Sequence, residues 1–450
     1  MQTYDLIIIG GGPAGYVGAI RAAQLGMNVA LVEKNKMGGM CLNWGCIPSK
    51  AYIETAKLFA RLAKAKSFGI EGVKAKDIMV NWKKMVSRKD RIVMRLVKGV
   101  EYLMKKNKVT IINGEARFTG KDKIQVSESE YSADKFLICT GSRPEEFPYA
   151  DKVDEKKLVE IDQFFTLNEV PDNFLIDGFS VNAAEIAQML KLIGKEVTVF
   201  TDREEFVFYL DESLREFVTD KFKKSGIKIF TNATVTKDAK DGVYLGDEFV
   251  KCDMIINSRH RLPVLPDLGP NELELERGAI KTDEFMQSSS ENIYAAGDVA
   301  GQYFAQTASA MATVAVNHMN GIKQKLDLSK MPRNIYTFPE MATAGMTEEE
   351  LKQKGIEYKV GKFPLSVNGK AMIEGETEGF VKILSETKYG EVMGVHIVAP
   401  DATDMIAEAV MAMSLESTVE DVAQVVHAHP TVSETMLEAA FVAEDKPVHI

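Results

Sequence analysis

The chain has 450 residues, 45% of them hydrophobic and 27% charged, the make-up of a globular protein with room for about three domains. A formal net charge of −10 argues against nucleic acid as the main partner. No apolar run approaches the ~18 residues that span a bilayer, and the opening MQTYDLIIIG lacks the basic region and cleavage site of a signal peptide. The expected compartment is the reducing cytoplasm, where a close cysteine pair is more often catalytic than structural.

Tyr4–Ile9 is a short, β-branched apolar run that ends in glycines, and it predicts a buried parallel strand. Gly10-Gly11-Gly12-Pro13-Ala14-Gly15 follows at once and satisfies G-x-G-x-x-G. Small and apolar residues then recur at helical spacing over Pro13–Leu25, and Asn28–Val32 is the next predicted strand. In such a βαβ opening the first glycine permits the tight turn and the second lets backbone approach a pyrophosphate. The third lets helix pack on strand, and the helix N-terminus offers N–H donors to phosphate. Glu33, closing the second strand, has the spacing of a carboxylate on a ribose hydroxyl.

Gly38–Lys50 reads GGMCLNWGCIPSK, and its Cys41 and Cys46 are two of only four cysteines in the chain. A pair this close can form a small disulfide ring that thiolate attack reopens. Ala51–Lys108 is predicted mostly helical, Val109–Gly120 and Lys123–Val126 as strands, and Phe136–Cys139 as a strand ending at Thr140-Gly141. A polar stretch, Arg143–Lys157, marks a boundary. Phe174–Ile176, Ala183–Ile193 and Val197–Phe200 then repeat the strand–helix–strand pattern, a distant internal repeat. Met254–Asn257 and Ile293–Val299 are further strands. After residue 331 the pattern changes: strands Tyr358–Phe363, Gly379–Ser385 and Val392–Val398 alternate with helices Asp404–Met413, Val419–Val426 and Ser433–Val442. The expected fold class is therefore α/β, with two Rossmann-like nucleotide-binding domains and a C-terminal α+β domain. Cys139 and Cys252 sit in apolar strands and read as small buried hydrophobes. With six histidines in all no metal site is expected.

The cysteine segment resembles the redox-active motif of dihydrolipoamide dehydrogenases, FAD-dependent pyridine nucleotide–disulfide oxidoreductases. The resemblance implies that Cys41 exchanges with substrate and Cys46 stands next to the flavin, with Lys50 one helical turn on. His429-Pro430-Thr431-Val432-Ser433-Glu434 resembles the family's H-P-T-x-S-E. It makes His429 the base and Glu434 its orienting partner, acting across a homodimer. His427 is read as structural. Ala295-Ala296-Gly297-Asp298 resembles the A-x-G-D sequence whose aspartate holds the flavin's ribityl chain. The resemblance also sets Lys34, Gly39, Gly114, Thr140, Gly141 and Ala305 near the cofactor, and Thr337–Ala342 at the start of a dimerisation domain. It implies an FAD domain of residues 1–145 and 263–330, an NAD(P)-binding-like domain of 146–262, and a dimerisation domain of 331–450.

The second nucleotide motif departs from the family. Gly178-Phe179-Ser180-Val181-Asn182-Ala183 has Ser180 where backbone should approach a pyrophosphate. Thr201 stands where the ribose carboxylate belongs, and Ser258 where the family has glycine. Glu185, which in the family pairs with the lysine equivalent to Lys50, is kept. Arg203 offers a contact for a 2′-phosphate, but the plainer reading of Asp202-Arg203 is a solvated charge pair. The expected activity is oxidation of dihydrolipoyl groups, on a carrier protein or as a small dithiol, through Cys41–Cys46 and FAD to NAD+. The alternatives are the same half-reaction with another acceptor, an NADP(H)-linked disulfide reductase, or a non-catalytic FAD-binding dimer.

Overall fold

The computed structural model describes residues 1–207 and 209–450, Ala75 by its backbone alone. Its first sheet has seven strands in the order Thr110–Asn113, Val29–Glu33, Gln2–Ile9, Ser129–Ile138, Lys123–Val126, Ala116–Phe118, with Ile293–Ala295 also paired to Ser129–Ile138. The first strand is apolar throughout its second half because both faces are covered; Leu6, Ile7 and Ile8 are fully buried. The parallel register sets Ile9 opposite Val32 and Ile138, and Ile138 opposite Ala295. The carboxyl ends of four strands therefore lie at one edge, where ligands of such sheets bind. Helices Pro13–Gln24 and Ala305–Met319 pack on this sheet.

The second parallel sheet has the order Lys228–Phe230, Glu196–Phe200, Asn173–Asp177, Met254–Asn257, Leu158–Glu160. Its register aligns Phe200, Asp177 and Asn257, so Thr201, Gly178 and Ser258 also share one edge. Helix Val181–Leu192 leaves that edge and packs against the long helix Cys46–Ala63. Beyond residue 331 a five-stranded antiparallel sheet, Arg333–Ile335, Glu340–Gly345, Val392–Ala399, Phe380–Glu386, Tyr358–Pro364, is backed by helices Ala402–Ser414 and Glu434–Ala443.

Two expectations need correction, and a third, the mostly helical 51–108, holds with its helix bounds now drawn. The helical stretch 51–108 is two helices, Cys46–Ala63 and Trp82–Lys106; Gly69 and Gly72, at φ +76° and +83°, lie in the break, and Asn81 caps the second helix. The run 109–120 is divided at Gly114, whose φ of +141° suits glycine alone. Helix Val419–Ala423 stops short of Val426, and the chain turns there toward His427.

Candidate redox and cofactor sites

At the edge of the first sheet lies a cavity of about 460 Å³. Gly10, Gly12, Pro13, Ala14, Glu33, Lys34, Gly39, Gly114, Thr140, Gly141, Gly297, Asp298 and Ala305 all line it, together with Cys41 and Cys46. Gly10 must be glycine: at φ +107° an added Cβ would stand 2.2 Å from the Cys139 carbonyl oxygen. Gly15 lies off the cavity wall and serves packing, since its Cβ would meet the Gly10 carbonyl oxygen at 1.8 Å. Around Gly12 nothing approaches within 3.9 Å of an added Cβ, so its backbone is open to a ligand. Glu33 accepts from the Gly11 N–H at 2.6 Å and the Asn35 N–H at 2.7 Å. Its carboxylate is thereby held at the rim with lone pairs to spare. Asp298 accepts from the Ser142 hydroxyl. Burial raises its pKa, while Ser142 and Arg261 act the other way. Arg261 donates to Ser142 Oγ at 2.9 Å and to Asp162 at 2.8 Å; no sequence motif marked it, because its partners lie about a hundred residues away.

Cys46 is the first residue of its helix and Gly45 the N-cap, a position that favours a thiolate. Pro48 is tolerated in that first turn, where its missing N–H has no helical partner. Both thiols are free. Cys41 donates its S–H to Cys46, which lowers the Cys46 pKa; Lys50 lowers it further, against burial. The same contact, with burial, raises Cys41 strongly. Of the two thiols, Cys46 is the one shifted toward the thiolate. Lys50 Nζ lies 2.7 Å from Glu185 Oε2 and 4.6 Å from the Tyr336 ring centroid. Burial disfavours its ammonium, yet Glu185 and then Cys46 outweigh that and raise its pKa. Glu185, only 2% exposed, also accepts from the Tyr336 N–H at 2.9 Å. Tyr16, which no motif marked, has its pKa raised by burial and by the nearby Cys41 and Cys46.

His429 and Glu434 are not brought to these thiols within one chain. His429 lines neither cavity and its side chain is 81% exposed. Its Nδ1 lies 2.9 Å from Glu434 Oε1, and the Thr431 N–H donates to the other Glu434 oxygen at 2.8 Å. Burial raises the Glu434 pKa, but the Thr431 N–H and His429 together bring it below the ordinary value. Exposed Val425 and Val426 precede this pair. His427 instead pairs with Glu408 at 2.8 Å. Cys139 and Cys252 are buried, as expected. Among the described residues no metal-binding cluster is found and no helix is long and apolar enough to cross a membrane.

The pyridine nucleotide-disulphide oxidoreductase family matches residues 4–319, and its dimerisation domain matches 331–440. The chain belongs to this family. It is 36% identical to a dihydrolipoyl dehydrogenase of Bacillus subtilis, covering 99% of both chains. It is equally similar to the mitochondrial dihydrolipoyl dehydrogenase of Pisum sativum, over 99% of this chain and 92% of that one. LpdA from Mycobacterium tuberculosis shares the fold, with a TM-score of 0.89 at 24% identity over 98% and 99% of the two chains. FAD is the cofactor of the family. The open Gly12 backbone, the fixed Glu33 carboxylate and the half-buried Asp298 fit its pyrophosphate, ribose and ribityl groups.

The family's second nucleotide frame is built differently here. Ser180 caps helix Val181–Leu192, its hydroxyl 3.3 Å from the Ser258 carbonyl oxygen. The helix's first N–H, of Val181, donates to the Tyr209 hydroxyl at 2.7 Å. Thr201 Oγ1 accepts from the Arg203 N–H at 3.1 Å. Fully buried Asp177, its pKa pushed up to about 7 by burial against the pull of Arg259, faces Arg259 at 3.3 Å. The expected Asp202–Arg203 pair is corrected: Asp202 pairs with Arg259 at 2.6 Å, and the Arg203 guanidinium lies 5.1 Å from the Phe179 ring centroid. The pyrophosphate and ribose of a dinucleotide do not fit these residues as they stand.

Proposed function

We propose that this chain is an FAD-dependent dithiol–disulfide oxidoreductase of the dihydrolipoyl dehydrogenase kind, working as a homodimer in the cytoplasm on dihydrolipoyl groups. One observation carries the reading: Cys41 and Cys46 stand together in the wall of the cofactor cavity, with Cys46 at a helix N-terminus and Lys50 lining the adjoining cavity with both thiols. In the oxidised state the two sulfurs form a disulfide. A substrate thiolate attacks Cys41, a mixed disulfide forms, and Cys46 leaves as a thiolate. A sulfur of lowered pKa leaves faster; once Cys41 is bonded to substrate and no longer donates to Cys46, Lys50 and the position at a helix N-terminus still favour the Cys46 thiolate. The second substrate thiol displaces Cys41 and closes the substrate disulfide. His429 of the partner subunit, steadied by Glu434, takes up the released protons. FAD, when bound, is the two-electron acceptor for the thiols.

NAD+ takes the electrons onward in the family's reaction. A second reading, an acceptor of another kind, is favoured by the Tyr209 hydroxyl on the Val181 N–H. The test is an anaerobic visible titration of the FAD-loaded protein with dihydrolipoamide. The expected result is stoichiometric loss of oxidised-flavin absorbance; an unchanged spectrum would overturn the proposal.

A further inference from the structure

Helix Trp82–Lys106 stands apart from the rest of the chain in charge. It carries nine Lys and Arg against two acids, Asp90 and Glu101, a formal +7. The whole chain is −10, so the other residues sum to −17. Lys84, Arg91, Arg95, Lys98, Lys105 and Lys106 are all exposed, and their spacing along the helix keeps them within about 100° of its surface. The stripe they form is about 33 Å long at the rise of an α-helix, with exposed Tyr102 on its midline. The helix's ion pairs are made by Lys83 with Glu169 and Lys89 with Asp90; among the described residues none of the six stripe cations joins one.

A helix face turned only to water mixes its signs, because like charges one turn apart repel. Here Lys84–Arg88 and Arg91–Arg95 are like pairs at i,i+4, and an acidic surface laid on the stripe replaces that repulsion with attraction. A membrane is a poorer match. The helix's own apolar residues Met85, Val86, Val100 and Met104 are buried against the protein, so they are not free to sink into lipid as those of an interfacial helix do. The near end of the stripe is tied to helix Cys46–Ala63. Arg88 donates to the Ala51 carbonyl oxygen at 3.1 Å, and Trp82 stacks on Tyr52 at 5.0 Å between ring centroids. A partner seated along the stripe therefore lies beside the helix that begins at Cys46.

We propose that the exposed face of helix Trp82–Lys106 docks an acidic protein domain that carries the dihydrolipoyl group to the thiols. The cargo named here rests on the proposed dithiol oxidation; the acidic partner does not. Two synthetic peptides, each bearing one dihydrolipoyl-lysine, are flanked in one case by glutamates and in the other by glutamines. Each is mixed anaerobically with the FAD-loaded dimer, and loss of oxidised-flavin absorbance is followed by stopped flow. At low salt the glutamate peptide should half-saturate about 10-fold below the glutamine peptide, the combined worth of about three exposed ion pairs. That advantage should fade in about 0.5 M salt. The triple variant Arg91→Gln, Arg95→Gln, Lys98→Gln keeps helix propensity and should erase the advantage, while the glutamine peptide and free dihydrolipoamide reduce the flavin as before. Lys84→Gln with Lys105→Gln and Lys106→Gln repeats the test at the ends of the stripe if the first variant does not fold. Equal half-saturation by the two peptides, or an advantage that the variant keeps, overturns the docking face. Flotation of the dimer with phosphatidylserine vesicles, with no preference between the peptides, assigns the stripe to a membrane and overturns it too. Flavin that no dihydrolipoyl compound reduces sinks the proposed function; anisotropy of a fluorescent glutamate peptide without the dithiol, on parent and variant, then still decides the stripe.

Discussion

Cys46 and Cys41 are chemically unequal because one sits at a helix N-terminus beside an ammonium and the other does not. Lys50 therefore has a measurable electrostatic task. Lys50→Met removes a charge that favours the thiolate, so the Cys46 pKa should move up, seen in the ultraviolet thiolate absorbance of the reduced protein titrated with alkali. An unmoved titration would mean that the helix terminus and the Cys41 hydrogen bond suffice. Cys41→Ser should lose roughly 10³-fold or more in dihydrolipoamide turnover, as removal of a nucleophile does, while still binding FAD, because serine keeps the shape of the side chain in the cavity wall. These residues were legible in the sequence because the chemistry needs them close together along the chain. Tyr209 and Arg261 were not. Tyr209 meets Val181 across 28 residues, from a segment with no periodic pattern, and only the folded backbone joins them.

Secondary structure was most readable where burial is two-sided. The continuous apolar runs of the parallel strands and the fingerprint helix stand nearly where composition put them. Helix Ala305–Met319 and the antiparallel strands of Val235–Lys251 carried weaker signals: the helix is rich in alanine on several faces, and the strands are short and one-sided. The first βαβ unit makes its own prediction. Gly15 is where helix Pro13–Gln24 touches the turn of the first strand, so Gly15→Ala forces helix and turn apart, given the 1.8 Å approach. The purified variant should be colourless or substoichiometric in FAD by visible absorbance, with a lowered thermal midpoint. Full flavin occupancy would show that the turn has slack.

Across the whole molecule, the C-terminal sheet is tied to the second nucleotide frame by a buried charge network. Asp211, fully buried, meets Lys382 at 2.7 Å, while His396, also fully buried, lies 3.7 Å away. Burial would raise the Asp211 pKa, but His396 and Lys382, with the Ser213 hydroxyl, hold it well below the usual carboxylate range. A depressed carboxylate stabilises the fold above its unfolded pKa, and that contribution drains away as pH falls below about 3.9. Asp211→Asn leaves buried Lys382 with Glu348 still beside it and should cost about 1.5–3 kcal/mol, the worth of a hydrogen bond between charged groups, read by denaturant unfolding at neutral pH. The difference from the parent should shrink in acid.

The exposed imidazole of His429, remote from the thiols of its own chain, has a further consequence. On the proposed function, each polypeptide carries two halves of two different reaction centres. Co-refolding Cys41→Ser chains with His429→Gln chains should therefore rescue about one quarter of the activity, since half the dimers are mixed and each of those holds one complete centre. Neither parent variant would show it alone. Dilution should act in the opposite sense: protomers that separate keep their yellow cofactor but fall silent, so specific activity becomes a gauge of how much enzyme is present.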